Sequence, residues 1–433
     1  MTRTVASARA QRFRYAGLDI DDDTLTGHFE LDGRRFKETV TFEGVDSLHT
    51  PAVRAVASLW YLVAGLSYYK AGAAHEIDLA DTPVGPRGRA LFEAALRDGL
   101  GEFSYRNDLA LDDVTVQGGV DVSTYAPDLD PRRVLTPFGG GIDSVVTLTQ
   151  LLGHVDQSLF IVSPPSGRFL PLENTAAVST LPVVRATRSL DEQLLDDDET
   201  WWHGHVPVTA MITLLAAVAA VASGRGGVAM SNEHSASAPN LRWRERDVNH
   251  QWSKSWVAEE LISAALSEVV GPDLVVASVL RDRSELWVAQ QFAQLTAYHH
   301  VFRSCNRAFA QKRDDRAPTW CGECDKCLFI DLILAPFLSR SALRSIFDAE
   351  PLARADLGDA LRTLVGVGLD HKPFECVGDP DESAVALMRV SSLDEWSDVS
   401  TLRDLALLVQ PERTFDELLA PLGPSRAPAR WLR

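Results

Sequence analysis

The chain has 433 residues, 45% of them hydrophobic and 24% charged, so we expect two or three domains and a sizeable buried core. Its formal net charge of −18 argues against a sequence-independent grip on nucleic acid, which needs many Lys and Arg contacts to phosphate. The first residues, MTRTVASARAQRFRYAG, lack the apolar core of a secretory signal, so we expect a cytoplasmic protein without a nucleic-acid or membrane partner.

The N-terminal region, residues 1–130, is predicted to be an α+β domain. Three segments of alternating polarity are separated by DDD and by the turn signal DG, which predicts antiparallel hairpins. The segments are FRYAGLDI, TLTGHFEL and RRFKETVTF. A helical stripe follows from Pro51 to Lys70, with Thr50 as a suitable N-cap before a first-turn proline.

The central region, residues 131–338, is predicted to be an α/β domain with a parallel sheet, because apolar strands alternate with helices. The strands are RRVLTPF, SLFIVS, LPVVRAT, GGVAMS and DLVVASV. The most apolar run, Val206 to Ala222, is at the lower limit of a bilayer span, so we expect a buried helix there. Residues 339–433 are expected to be mainly helical, with a loose Pro/Arg-rich tail from Pro421.

The stretch LTPFGGGIDSVVTL joins a predicted strand to a predicted helix through three glycines. Backbone N–H groups and a positive helix end meet at Gly139, Gly140 and Gly141, which predicts an anion site. The loop resembles the S-G-G-x-D-S pyrophosphate loop of the ATP pyrophosphatases, with Gly140, Gly141, Asp143 and Ser144 in the motif positions and Gly139 in place of its first Ser. The alternative is a tight turn that needs glycine for packing alone.

The second strong pattern is CGECDKC, which places Cys321, Cys324 and Cys327 at two-residue intervals. Thiolates with this spacing can converge on one tetrahedral ion, and Cys305 can supply a fourth ligand. Four protein ligands leave no open position, so we expect a structural zinc ion. Redox chemistry at C-x-x-C is the main alternative.

Both patterns together resemble 7-cyano-7-deazaguanine synthase, which combines a pyrophosphate loop with a similar zinc site. Six further stretches fit another family better, the UDP-N-acetylmuramoyl-L-alanyl-L-glutamate epimerases known as MurL. They are SYYKAG, GHVPVTA, SNEHSASAPN, VNHQWSKS, CGECDKCLFIDLILAPFL and KPFECVG. This second resemblance runs from the N-terminal domain to beyond Cys376.

The resemblance to the epimerases implies an ATP- and Mg²⁺-dependent inversion of the terminal L-Glu of UDP-MurNAc-L-Ala-L-Glu, with AMP and pyrophosphate released. Adenylation of the α-carboxylate would cancel its charge and make the α-proton acidic enough for a positioned base. Mg²⁺ is expected on the phosphates, and Asp143 is the favoured candidate among nearby carboxylates. The substrate would be a small molecule of peptidoglycan precursor synthesis.

The candidate acids and bases lie in three segments. Glu233 and His234 follow the strand GGVAM at the edge where open α/β sheets bind ligands, and could assist Mg²⁺ and shuttle protons. His250 and Lys254 are four residues apart, on one face if a helix begins there. Cys376 lies outside the zinc group, and we favour it over His250 as the carbon base because a desolvated thiolate is competent. For each residue a structural role is the alternative.

A basic segment weakly supports a polyanionic substrate. RWRER at 242–246 and four later residues could line a pocket for the UDP pyrophosphate, although a solvated charged face is the alternative. The later residues are Arg303, Arg307, Lys312 and Arg313. Two other functions stay open: an enzyme that adenylates a nucleobase or small carboxylate, and a zinc-containing binding module without catalysis.

Overall fold

The computed structural model describes residues 8–195, 200–309, 316–317, 319–368 and 371–432. Within these ranges ten strands form one sheet in the order β12-β9-β6-β7-β8-β3-β2-β1-β4-β5, and two form a separate hairpin. The sheet strands are β1 Arg12–Asp21, β2 Thr24–Leu31, β3 Arg34–Glu43, β4 Glu76–Asp78, β5 Thr115–Gln117, β6 Asp130–Pro137, β7 Asp156–Ser163, β8 Val183–Ser189, β9 Arg225–Met230 and β12 Val275–Ser278. The hairpin strands are β10 Leu241–Trp243 and β11 Arg246–Val248.

The α-helices cover both faces of the sheet and form the C-terminal region. Those before residue 300 are α1 Pro51–Gly72, α2 Pro86–Ala94, α3 Gly101–Arg106, α4 Ile142–Leu151, α5 Leu170–Ser179, α6 Val208–Ala222, α7 Trp256–Val270 and α8 Glu285–Ala293. Those after it are α9 Asp325–Leu334, α10 Arg340–Phe347, α11 Gly358–Leu364, α12 Pro380–Ser391, α13 Ser400–Ala406 and α14 Phe415–Leu419.

The N-terminal hairpins form as predicted, because β1, β2 and β3 pair antiparallel with one buried face. Helix α1 packs on that face, and its predicted N-cap is confirmed: Thr50 Oγ1 accepts a hydrogen bond of 3.2 Å from Val53 N–H. Strand β3 pairs antiparallel with β8 of the central region, so one sheet continues from the N-terminal strands into the central ones. The domain boundaries at residues 130 and 338 stay a prediction.

The five predicted central strands are all present, and they pair in parallel. Alternate residues along them point to opposite faces, so Leu135 and Val228 belong to one apolar cluster and Val134 and Ala229 to the other. Helices α1, α6 and α7 cover the first face, and α4, α8 and α9 cover the second. The carboxyl ends of β6, β9 and β12 therefore meet at one edge, which positions the loops that follow them.

The apolar run at 206–222 forms α6, which is buried over most of its length and packs against α1 and β9. The prediction of a buried helix is thus confirmed. In the described parts of the chain, no helix is long and apolar enough to cross a membrane.

The C-terminal region is mainly helical, as predicted, but the expectation of a loose tail is wrong. Trp431 is fully buried and lies against Gly227 of β9. The tail is also tied down at Leu422, whose N–H donates a 2.9 Å hydrogen bond to the carbonyl of Asp282. Burial of one large aromatic side chain outweighs the local preference of a Pro/Arg-rich segment for irregular structure.

Candidate active site

The glycine loop follows β6 and leads into α4, as the sequence predicts. Gly140 has a φ of +75°, which favours glycine, and a Cβ at Gly141 would lie 2.6 Å from Ser304 Oγ. Gly139 is exposed, and a Cβ at this position would meet no atom within 4 Å, so close packing does not explain this glycine. Helix α4 begins without a side-chain cap, because its N-cap residue is Gly141; Ser144 Oγ donates a 3.0 Å hydrogen bond to the Gly141 carbonyl. Its first N–H groups face the open loop.

Three carboxylates meet beside this loop, one from each of the neighbouring strand ends. Asp143 comes from the start of α4, Glu233 follows β9, and Glu285 begins α8 after β12. One oxygen of each lies within 4.8 Å of the others, so the group could hold a metal ion. Each also has a buried oxygen without a hydrogen-bond partner among the described residues. Burial and the Glu233 carboxylate raise the pKa of Asp143 to about 6.

Cys376 belongs to a second group, formed with His250 and Glu102. His250 shares a hydrogen bond with the Cys376 thiol, and its Nδ1 lies in a short contact with Glu102 Oε2. Glu102 in turn accepts a 2.5 Å hydrogen bond from Arg106 Nε on the same helix, α3. The His205 ring lies 4.2 Å from the His250 ring, centroid to centroid. The three side chains thus form a Cys–His–Glu series.

The electrostatics of this series favour a thiolate beside an imidazolium. Burial would raise the pKa of Cys376, but the Lys254 ammonium and the hydrogen bond from His250 lower it to about 6. Burial would lower the pKa of His250, but its hydrogen bonds to Cys376 and Glu102 raise it to about 9. Between these two values the pair is charged, so the Cys376 thiolate can act as a nucleophile or as a base near neutral pH.

Lys254 connects the two groups. Burial alone would lower its pKa, but the charges of Cys376, Glu233 and Asp143 together raise it. Lys326 also lies close enough to oppose the upward pKa shifts of Asp143 and Glu285. The carboxylates and the thiol therefore share a pair of ammonium groups and form one site.

Buried polar contacts hold the loops of this site together. Arg281, only 2% exposed, donates hydrogen bonds to the carbonyls of Glu233 and Lys254, at 2.9 Å and 2.6 Å. Its guanidinium pairs with the buried Glu259 carboxylate at 2.9 Å, so the charge is compensated. Gln251 Nε2 donates to the Val377 carbonyl at 3.0 Å, which ties the His250 turn to the Cys376 segment.

Two cavities border the site. The first, about 620 Å³, lies beside the glycine loop and includes Arg168, His300 and Arg303 in its lining. Arg303 N–H donates a 3.1 Å hydrogen bond to the Gly140 carbonyl, so this lining residue is held against the glycine loop. The second cavity has a volume of about 460 Å³. Its lining includes Arg106, which pairs with Glu102, and Glu375, which precedes Cys376.

The four cysteines of the second sequence pattern come together, as predicted. Their sulphurs all lie within 4.8 Å of one another, and Cys327 Sγ is 3.7 Å from Cys321 Sγ and 3.5 Å from Cys324 Sγ. A tetrahedral site with metal–sulphur bonds of about 2.3 Å places sulphurs about 3.8 Å apart. Backbone N–H groups donate to Cys305 Sγ and Cys321 Sγ, as suits thiolates. The cluster could therefore hold a metal ion.

Several predicted residues lie elsewhere or in a different setting. His234 follows β9 as expected, but it faces Gly423 and the charges of Arg413 and Asp379 and not the thiol. Lys254 ends a short 3₁₀ turn, Trp252–Lys254, so the helix start considered for VNHQWSKS is wrong; α7 begins only after the Ser255 N-cap. Lys254 and His250 are instead linked through Cys376, because both residues lower the pKa of its thiol.

The basic segment does not form one pocket. Arg244 pairs with Asp108 at 2.8 Å, Arg246 pairs with Asp112, and Arg307 pairs with Glu323 at 2.8 Å. Arg303 lines the cavity beside the glycine loop. Two further predicted residues, Lys312 and Arg313, lie outside the described residues.

Similarity to known proteins covers nearly the whole chain. Residues 4–279 match the family described as the MurL N-terminal domain, and residues 301–417 match the MurL C-terminal domain. The chain belongs to the MurL family. No solved structure matches it.

Three MurL relatives each carry the name UDP-N-acetyl-alpha-D-muramoyl-L-alanyl-L-glutamate epimerase. The protein from Salinispora tropica is 38% identical over 96% of this chain and 92% of its own length. The Micromonospora sp. protein is 38% identical over 98% of each, and the Xanthomonas oryzae pv. oryzae protein is 34% identical over 98% of this chain and 96% of its own. The prediction of an enzyme of the isomerase class is confirmed, since epimerases are isomerases.

Four residues of the site were not found from the sequence of this MurL chain. Glu102 lies in a short helix without any motif, and Arg281 and Glu285 follow β12 in a segment with no distinctive pattern. Lys326 lies within CGECDKC, where the cysteine spacing indicates a metal site and gives no separate signal for the lysine. The available signal for Glu285 and Arg281 was position, because residues just after a parallel strand reach the ligand-binding edge.

Proposed function

We propose that this chain inverts the terminal L-Glu of UDP-MurNAc-L-Ala-L-Glu to D-Glu, with adenylation of the α-carboxylate by ATP. The names of the MurL relatives support the substrate and the inversion. One observation supports the mechanism: the charges of Cys376, Glu233 and Asp143 all raise the pKa of Lys254, so its ammonium is near both the carboxylates and the thiol. A group that activates a carboxylate and a group that moves a proton therefore adjoin one reacting centre.

The chemistry requires both groups. Removing the α-proton of a free carboxylate would concentrate negative charge, and adenylation cancels the charge of the carboxylate first. The open glycine loop and the uncapped start of α4 would bind the phosphates of ATP, and the 620 Å³ cavity beside them would hold its nucleoside. The resemblance of the loop to ATP pyrophosphatases stays a prediction and is part of this proposal.

Asp143, Glu233 and Glu285 would hold Mg²⁺, which supplies charge neutralisation to the phosphates when bound. The donor set fits, because hard cations prefer carboxylate oxygens and each of these residues has an unpartnered one. The raised pKa of Asp143 also fits, since three buried carboxylates without a cation repel one another.

The Cys376–His250 pair would transfer the α-proton of the activated glutamate. Its opposite charges near neutral pH give it both a proton acceptor and a proton donor. The substrate would reach the pair through the 460 Å³ cavity, whose Glu375 precedes Cys376. Glu102 contacts Nδ1 of His250 and is itself held by Arg106, so Glu102 orients the imidazole ring.

The Cys305–Cys321–Cys324–Cys327 cluster would bind zinc as a structural ion. Four thiolates with suitable separations match the zinc geometry and leave no ligand position for water. The ion would fix the start of α9, which carries Lys326 into the site.

A direct experiment is to incubate the purified protein with ATP, Mg²⁺ and UDP-MurNAc-L-Ala-L-Glu and to determine AMP and the chirality of the product glutamate. We expect D-Glu and AMP, both dependent on the substrate and on ATP. Inversion at the full rate without ATP would contradict the adenylation step. AMP formation with a nucleobase or another carboxylate, but not with this substrate, would favour the broader class of adenylating enzymes.

A further inference from the structure

We propose that Cys376 is a nucleophile that takes the glutamyl group from the adenylate as a thioester, and that His250 then transfers the α-proton. This inference rests on the proposed function and divides the work within the Cys376–His250 pair. It adds a covalent intermediate to the reaction and assigns separate tasks to sulphur and imidazole.

The order of the three side chains carries the proposal. Glu102 binds Nδ1 of His250, and His250 binds the thiol of Cys376, so the acid orients the imidazole and the imidazole stabilises the sulphur anion. A nucleophile, a base and an orienting acid in this order are the recurring arrangement of covalent acyl transfer. A thiolate acting only as a carbon base would need no such series.

The surroundings of the sulphur also suit acyl transfer. Cys376 is partly exposed, so a substrate can reach it, and the carboxylate group that would direct adenylation lies near enough to influence its charge. The Lys254 ammonium lies beside the sulphur and would stabilise both the thiolate and the negative oxygen that develops on the attacked carbonyl. The His205 ring packs against the His250 ring, with 4.2 Å between their centroids.

Each step balances in atoms and electrons. The Cys376 thiolate forms a carbon–sulphur bond to the glutamyl carbonyl while the carbonyl–oxygen bond to AMP breaks, and AMP leaves with the electron pair. Without the thiolate charge beside it, His250 releases its proton to solvent and becomes a neutral base. It removes the α-proton from one face, solvent supplies a proton to the opposite face of the resulting enolate, and His250 returns its proton to solvent. Water then adds to the thioester carbonyl. The carbon–sulphur bond breaks, and the D-Glu product and the Cys376 thiol are released.

A thioester suits inversion better than the adenylate that precedes it. Sulphur donates little electron density to the carbonyl, so the α-proton stays acidic. A thioester is also slower to hydrolyse than a mixed anhydride with phosphate, so it survives long enough for the proton to leave and return.

The test uses the full-length protein, ATP, Mg²⁺ and UDP-MurNAc-L-Ala-L-Glu with ¹⁴C in the glutamate. Reactions are quenched in denaturant over a time course from milliseconds to minutes, and label that stays with the denatured chain is measured. We expect label on the wild type only when ATP is present, released by neutral hydroxylamine. Cys376→Ala should carry no label but still form AMP, because an adenylate is not bound covalently to the protein.

Two further variants separate the tasks. His250→Gln keeps a side chain that can hydrogen-bond, so it should carry label whose glutamate stays L, with inversion at least 100-fold slower. His28→Gln is the matched control, because this exposed histidine pairs with Asp19 far from the site and should leave labelling and inversion unchanged.

The outcomes separate this inference from the proposed function. If the wild type forms AMP and inverts glutamate but carries no bound label at any time, or if Cys376→Ala carries the same label as the wild type, the thioester is overturned and the epimerase stands. If no substrate-dependent AMP forms, both fail together.

Discussion

Glu102→Gln should impair catalysis without disturbing the fold, because Glu102 reaches the reacting groups only through His250. The substitution keeps the shape of the side chain and removes its charge. A hydrogen bond to a charged group is worth about 1.5–3 kcal/mol. Since about 1.4 kcal/mol corresponds to a tenfold change, kcat should fall roughly 10- to 100-fold.

The pH profile gives this prediction a sharper form. In the wild type, activity should rise as the Cys376 thiol ionises, with a pKa of about 6. It should fall as His250 loses the proton with which it stabilises the free thiolate before acyl transfer, with a pKa of about 9. Both limbs belong to the coupled pair. Removing the Glu102 carboxylate favours the neutral imidazole, so the alkaline limb should move to lower pH by about one to two units.

The assay is the rate of D-Glu formation between pH 5 and pH 10, with substrate saturation curves that separate kcat from KM. Glu93→Gln, an exposed glutamate on α2, is the matched control and should keep the wild-type profile. A Glu102→Gln profile that matches the wild type in height and in both limbs would refute the positioning role. A fall in kcat with unshifted limbs would assign Glu102 to structure alone.

Three other predictions concern separate parts of the molecule. Asp143→Asn should reduce substrate-dependent AMP release at least 100-fold while the melting temperature stays within a few degrees, and AMP release at the wild-type rate would contradict its role. Cys324→Ser should lower metal content and thermal stability together, since the energy of metal binding contributes to folding in such sites. An unchanged zinc stoichiometry and melting temperature would show that Cys324 is not a metal ligand. Burial raises the pKa of Asp331 to about 7, so the folded state loses stability as pH rises from about 4 to about 7. Asp331→Asn should therefore raise the unfolding free energy by about 1–3 kcal/mol at pH 8, but not at pH 4, in denaturant titrations.

Strands, helices and the convergence of the four cysteines are predictable from the sequence because their signals are local. Period-two alternation located β1 to β3, apolar runs between turn signals located the parallel strands, and CGECDKC located a cluster whose spacing dictates convergence. The glycine loop was located by the same local logic, since a strand, three glycines and a helix follow in direct order.

The assembly of the Cys–His–Glu series could not be predicted, because its members are distant in sequence. Glu102, His250 and Cys376 are joined only through the fold, since 148 residues separate the first two and 126 residues separate the last two. Cys376 and His250 were recognised as candidates separately, but their hydrogen bond depends on the turn held by Gln251. The pairing of β3 with β8 was missed for the same reason, since strand partners at long range leave no local mark.

The C-terminal tail shows the opposite error, in which local composition was misleading. A segment rich in Pro and Arg favours irregular structure, and the tail is indeed irregular up to a short turn at Ala429–Trp431. Its one large aromatic residue nevertheless reaches the core beside β9, and burial of that side chain fixes the segment.

The most direct test of the central claim is the incorporation of solvent deuterium. The wild type is incubated in D₂O with ATP, Mg²⁺ and UDP-MurNAc-L-Ala-L-Glu, and the product is analysed by mass spectrometry alongside AMP. We predict one deuterium on the glutamate α-carbon of the D-Glu product and one AMP for each inversion. Cys376→Ala and His250→Gln should form AMP with little deuterium, since proton transfer by a positioned side chain is typically worth about 10²- to 10⁴-fold in rate. Inversion by the wild type without solvent label over repeated turnovers, or inversion without AMP, would contradict the account.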